Sequence, residues 1–244
     1  MMIQFMIGFI FSSSIALIAY YKESLNISGA VSAIILGTLL YQYGGPYFFF
    51  VLISFFVLSG LIGKTHEGYP ADRNAIQVLS NGLLAVIFAF LYATEGSLIF
   101  MVLFFTSIGI SASDTWSSEL GKRDKHKPYH IFKWKPMDQG LSGAVSFLGL
   151  GGALLASLFY TLLAAFVIQD FYYLLIIFGF SFLGTIIDSI LGTLQVKYLD
   201  QTNGKIVDNK TADTRYHSGI KFLTNSGVNF LTNLVIVLLV YYFF

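Results

Sequence analysis

Residues 111–140 read SASDTWSSELGKRDKHKPYHIFKWKPMDQG and hold ten charged side chains in thirty positions. The rest of the chain is greasy almost end to end. Over 244 residues, 56% are hydrophobic and only 11% charged, with a mean hydropathy of +0.73. Soluble domains carry about 25% charged residues, so this composition belongs to an integral membrane protein. The 25 Phe and 15 Tyr suit lipid-facing surfaces and interfacial belts. The net charge of +1 says little, because the distribution matters and the sum does not. With no cysteine, disulfides and thiolate metal sites are excluded.

Working outward from that charged stretch, apolar runs alternate with polar breaks. The pattern predicts an all-α bundle of about eight transmembrane spans over 2–21, 27–43, 46–63, 75–93, 97–112, 141–168, 171–194 and 222–243. The first run has no basic flank or small-residue cleavage site and is expected to be a retained span. Every one of the 14 Lys and Arg falls in an odd-numbered loop. Lys22 lies in the first, Lys64 and Arg73 in the third. Lys122, Arg123, Lys125, Lys127, Lys133 and Lys135 lie in the fifth, and Lys197, Lys205, Lys210, Arg215 and Lys221 in or beside the seventh. The even loops carry only Glu95 and Asp170. Positive charge stays on the cytoplasmic side of a membrane. The odd loops are therefore expected in the cytoplasm, with both termini outside a cell (inner) membrane. One domain over 1–244 follows, with cytoplasmic loops at 113–140 and 195–220; the latter is expected to form a small hairpin or helix.

Four predicted helices carry polar groups at helical spacing near their cytoplasmic ends. Arg73, Gln77 and Asn81 step by four, as do Asn225, Asn229 and Asn233. Asp114, Thr115, Ser118 and Glu119 end the fifth span, and Asp188 lies two turns before Gln195 in the seventh. Interhelical hydrogen bonding explains Asn233 or Thr185 alone. It does not explain Asp188, because a carboxylate inside a span costs about 2.5–3.5 kcal/mol on insertion scales. Gly149 to Gly152 suit close helix packing, whereas Gly140, Ser142 and Gly143 sit where a loop is expected to enter a helix N-terminus, a natural phosphate site. No P-loop or dinucleotide fingerprint is present. His66, His126, His130 and His217 read as solvated loop histidines, and Lys125 and Lys127 as topogenic charge. Carboxylates that hold Mg²⁺, with cations that neutralise phosphate oxygens, suit phosphoryl transfer.

The blocks SASDTWSSELG, QGLSGAVSFLG, GTIIDSILGTLQ and GVNFLTN, with FFVLSGLIGK and DRNAIQVLSNG upstream, resemble the membrane family containing plant phytyl-phosphate kinase and animal transmembrane protein nineteen. The order of blocks matches from about residue 50 to the C-terminus. The layout is distantly similar to dolichol kinase and membrane CDP-diacylglycerol synthase. The resemblance implies a CTP-dependent kinase that converts an isoprenoid monophosphate to the diphosphate. On that reading Asp114, Glu119 and Asp188 hold Mg²⁺ on the nucleotide phosphates, and Arg73 clamps the lipid monophosphate. Lys122, Arg123 and Lys135 neutralise phosphate, while Ser118, Asn81 and Asn229 orient groups by hydrogen bonding. Gln77, Thr115, Gly140, Ser142, Gly143, Gln195 and Asn225 are further expected contacts for substrate or nucleotide. The expected partners are the bilayer, an isoprenoid phosphate and a nucleotide, with a homodimer left open and no nucleic acid. A transporter or flippase for a phosphorylated lipid and a cytidylyltransferase making a CDP-lipid are the competing readings.

Overall fold

The computed structural model describes residues 2–63 and 73–244; Lys64, His66 and Asp72 lie outside the described residues. Seven helices among them are long and apolar enough to cross a membrane: α1 (Met2–Tyr21), α2 (Ile27–Gly63), α3 (Ala75–Glu95), α4 (Leu98–Gly121), α5 (Phe147–Ala164), α6 (Phe171–Gly192) and α7 (Asn225–Phe243). The chain is an integral membrane helical protein.

The difference between seven helices and eight spans lies in α2. At Gly45 the backbone leaves helical geometry (φ 70°, ψ −172°), and Pro46 follows. Glycine tolerates the left-handed region, and proline lacks only a donor that the first turn of a new helix cannot use. The two halves fold back on each other. A methyl built on Gly37 would stand 3.3 Å from Phe49 Cε2, and the Tyr41 and Phe49 rings are 5.5 Å apart. On a straight helix twelve residues would separate Gly37 from Phe49 by roughly 18 Å. Residues 27–44 and 46–63 are therefore two antiparallel spans, and the expected eight are present.

The loops agree with that count. The Asn26 N–H donates to the Arg73 carbonyl at 3.2 Å, joining the first and third loops. Arg123 donates to the Ile62 carbonyl, and Lys197 Nζ donates to the Ser142 carbonyl at 2.8 Å, bringing in the fifth and seventh. All four basic loops are thus gathered at one end of the bundle.

Around α4 the other helices close completely. Every residue from Met101 to Ser113 is buried, and α4 packs on α2, α3, α5, α6 and α7. Close approach relies on small residues. A methyl on Gly152 of α5 would come within 2.8 Å of the Trp116 carbonyl, and one on Gly184 of α6 within 2.8 Å of Ile110. Gly149 makes a similar contact with the Ser117 carbonyl at 3.0 Å, while Gly151 faces open space.

Two boundaries differ from expectation. α4 does not stop near 112 but runs nine residues further, because DTWSSELG interrupts hydropathy without interrupting helix; Thr115 Oγ1 even bonds back to the Ser111 carbonyl at 2.7 Å. α5 starts at Phe147, not 141, with Ser146 as its N-cap accepting from the Gly149 N–H at 3.1 Å. The intervening loop holds a two-residue ladder, β1 (Tyr129–His130) with β2 (Ala144–Val145). The seventh loop is more than a hairpin. It is a three-stranded antiparallel sheet in the order β4 (Ile206–Val207), β3 (Lys197–Asp200), β5 (Thr214–Ser218).

Candidate functional site: a carboxylate pair at the basic end

Asp114 from α4 and Asp188 from α6 face each other within hydrogen-bonding contact. With Asn81 of α3, Asn229 of α7, Ile110 and Ser111 they line a cleft too narrow to admit a water molecule. Four helices from separate parts of the chain supply it. Asp114 lies seven residues from the end of α4 and Asp188 four from the end of α6. At 1.5 Å per residue both are roughly 6–10 Å inside the basic end. The cleft thus lies in the basic half of the bundle.

Hydrogen bonds fix these side chains. Thr232 Oγ1 donates to Asp188 Oδ2 at 3.2 Å. Asn229 Nδ2 donates to Asn81 Oδ1 at 3.4 Å, and Asn81 Nδ2 donates to the Gln77 carbonyl at 3.0 Å. Ser111 Oγ donates to the Asn81 carbonyl at 3.1 Å and accepts from Asn233 Nδ2 at 3.2 Å. Asn229 Oδ1 is buried without a hydrogen-bond partner. Two carboxylates and an uncommitted amide oxygen converge there. Such a donor set fits a hard divalent cation such as Mg²⁺, which typically takes one or two carboxylates plus phosphate oxygens. It fits no soft metal, since thiolate and imidazole are absent from the cleft.

The remaining expected residues divide sharply. Among the described residues no three His, Cys, Asp or Glu side chains gather as a metal-ligand group. Glu119 is instead bound to Lys122 at 2.8 Å, with half-buried Arg73 in its field, and it lies outside the lining of the cleft. Lys122 is in turn within electrostatic reach of Asp114.

Other side chains are engaged elsewhere. Gln77 closes the α3 capping box, its Oε1 accepting from the Asn74 N–H at 3.0 Å, because α3 begins at Ala75 and Arg73 precedes it. Arg123 tethers the end of α2, and Thr115 bonds its own helix. Ser118, Lys135 and Asn225 are exposed and do not line the cleft. Gly140 and Gly143 have left-handed φ of 84° and 87° in the loop, four or more residues before α5 starts, so they form no helix N-terminus. Gly143 packs on Thr193, and the Ser142 N–H is taken by Asp208 Oδ2 at 2.7 Å. Gln195 is buried beneath the sheet, beside Gly219. His126 is exposed in a loop, and His130 Nδ1 accepts from the Phe132 N–H at 3.2 Å.

Sequence reading missed Ser111 and Thr232. Thr232 is one turn beyond Asn229, inside the quoted GVNFLTN block, so helical spacing could have found it.

The comparisons with known proteins agree with the resemblance drawn from the sequence. Residues 10–237 match the family described as "Integral membrane protein DUF92". The chain belongs to that family. It is 30% identical to "Protein PGR" of Arabidopsis thaliana over 254 aligned residues, covering 89% of this chain and 88% of that protein. An uncharacterized membrane protein of Methanocaldococcus jannaschii is 26% identical over 79% of this chain and 84% of its own length. "Protein VTE6, chloroplastic" of Arabidopsis thaliana is 30% identical over 55% of this chain and 45% of its own length. No solved structure matches the chain.

Proposed function

We propose that this protein is a nucleotide-dependent kinase, using CTP, that converts a prenyl monophosphate to the diphosphate at the cytoplasmic face of its membrane. The observation that carries the reading is the Asp114–Asp188 pair, set between four helices at the end where all basic loops gather. The family's resemblance to a plant phytyl-phosphate kinase supports the class of substrate.

In this mechanism a phosphate oxygen of the prenyl monophosphate attacks the γ-phosphorus of the nucleotide. A new P–O bond forms, the bond from the γ-phosphorus to the β,γ-bridging oxygen breaks, and the nucleoside diphosphate leaves with that electron pair. The nucleophile is already anionic, so no general base is needed. Asp114, Asp188 and Asn229 Oδ1 would hold Mg²⁺, which supplies charge neutralisation on the transferred phosphoryl group. Thr232 orients the Asp188 carboxylate through its 3.2 Å hydrogen bond. Lys122, held by Glu119, and Arg73 in the field of Glu119 would offset negative charge near the cleft. The prenyl tail stays in the bilayer.

Depth favours this reading over a transporter. Transport sites of secondary carriers lie near the midplane, whereas Asp188 lies about one turn from the basic end of α6, with Asp114 beside it. The test uses purified protein with labelled CTP and a panel of prenyl monophosphates. CDP and prenyl diphosphate are the expected products, lost on chelation of divalent cations and restored by Mg²⁺. Asp114→Asn and Asp188→Asn are each expected to lower turnover by at least about 100-fold, as does removal of other charge-stabilising groups, with the protein still inserted and monodisperse. A CDP-prenyl product reassigns the site to a cytidylyltransferase, and full turnover in either variant rejects the assigned residues.

A further inference from the structure

The carboxylate cleft is too narrow for a nucleotide, so a kinase built on it must hold the nucleotide's bulk elsewhere. A second hollow lies at the basic end. Its volume is about 470 Å³, and its walls come from the fifth loop (Lys125, Lys127, Asp138, Gln139) and from β4 with its turn (Lys205, Ile206, Val207). Small-molecule sites usually occupy about 300–1,000 Å³.

Three features give this hollow a ligand class. Its wall carries three ammonium groups against the single carboxylate of Asp138, and among the described residues Lys125, Lys127 and Lys205 form no ion pair. Unpaired lysines converging on one concavity suit an oligophosphate, because each ammonium neutralises phosphate oxygens as a point charge. Ile206 and Val207 add an apolar surface on β4, an edge strand of the sheet, against which a planar base can lie. The walls are also held in place before any ligand arrives. Gln139 Nε2 donates to the Asp124 carbonyl, and Asp124 in turn accepts the Leu148 N–H at the start of α5. Across the hollow, the Ser142 N–H donates to Asp208 Oδ2 and Lys197 Nζ donates to the Ser142 carbonyl, binding the fifth loop to the sheet.

The hollow shares the basic end with the cleft: Lys125 on its wall is three residues along the chain from Lys122, which lies in the field of Asp114.

We infer that the hollow lined by Lys125, Lys127 and Lys205 binds the nucleoside triphosphate, its phosphates on the lysines and its base toward Ile206 and Val207. This rests on the kinase reading above and gives the topogenic lysines Lys125 and Lys127 a second role. The γ-phosphate end points past Lys122 to the Asp114–Asp188 pair.

The test is equilibrium binding of labelled CTP, and of ATP in parallel, to the full chain in nanodiscs of neutral lipid with chelator present. Wild type is expected to bind. The triple variant Lys125→Gln/Lys127→Gln/Lys205→Gln is expected to bind about tenfold more weakly or worse, the cost of losing charge-assisted contacts, with KM for nucleotide raised and kcat little changed. The triple Lys→Arg variant keeps the charge and is expected to restore binding, which separates recognition from folding. Asp114→Asn is expected to bind nucleotide like wild type while failing to turn over. Unchanged nucleotide affinity in the Lys→Gln triple overturns the inference and leaves the kinase reading standing. A triple that loses only its association with vesicles of anionic lipid assigns the lysines to headgroups and overturns it too. Wild type that turns over no nucleotide with any prenyl phosphate instead overturns the kinase reading itself.

Discussion

Helices α1 and α4 are both greasy segments long enough to cross a bilayer, yet they have opposite fates. Of the most apolar window of α1 only 17% is buried against protein, while for α4 the figure is 83%. α1 shows Phe5, Phe9, Phe11 and a series of Ile and Leu to the lipid. α4 carries Thr106, Ser107, Gly109, Ser111 and Ser113 among its apolar residues, and all of them are buried. In water, the greasier helix would go inside. In a bilayer, lipid is as apolar as leucine and supplies no such sorting, so packing and interhelical hydrogen bonds decide the centre. The helix with small and hydroxyl side chains wins, and it takes Asp114 with it.

That contrast can be broken by substitution. The largest effect is expected where α4 has no room. Gly152→Leu on α5 drives a side chain into the Trp116 carbonyl and Leu120, and overpacking of this kind costs about 1–3 kcal/mol. Thermal unfolding in detergent should show a clear drop, and an unchanged midpoint would mean that α4 and α5 are not in this close contact. A middle effect is expected from Asn233→Leu, which removes donors to the Ser107 carbonyl and to Ser111 Oγ on α4. Interhelical hydrogen bonds in membranes average about 0.6 kcal/mol and reach about 1.7, so a smaller but measurable drop follows in the same assay. The smallest is on α1: Phe9→Leu, at an exposed lipid-facing position, should stay within about 0.5 kcal/mol of wild type. A large loss there would mean that Phe9 itself has a protein partner.

Much of the architecture was legible in the sequence because the bilayer leaves few choices. Apolar length fixes the spans, and the one-sided placement of Lys and Arg fixes which loops share an end. Asp188 stood out for the same reason, since a carboxylate inside a span is costly. Asp114 stood out by its place in the charged block that ends its helix, and the fold brings the two together. The errors have a common cause. Arg73, Gln77 and Asn81 fit one helical stripe on paper, but the Asn74 cap starts α3 after Arg73 and occupies Gln77. Gly140 and Gly143 suggested a helix entrance, but their left-handed backbone shapes a loop. Spacing rules apply only inside a helix, and the sequence blurs where a helix begins. The uses of Arg123 and Glu119 depend on contacts with Ile62 and Lys122 and on the field of Arg73, and of these the sequence places only Lys122 nearby.

The break at Gly45 sets a parity. Because 27–44 and 46–63 run in opposite directions, the chain passes along the bundle an even number of times, and Met2 and Phe244 lie at the same end of it. One left-handed glycine thus decides more than a bend. A residue there that forced α2 straight would leave one crossing too few. Everything downstream would then have to invert, carrying its basic loops across the membrane, or remain misassembled. Reporters fused to the two ends would register that change as a disagreement between them.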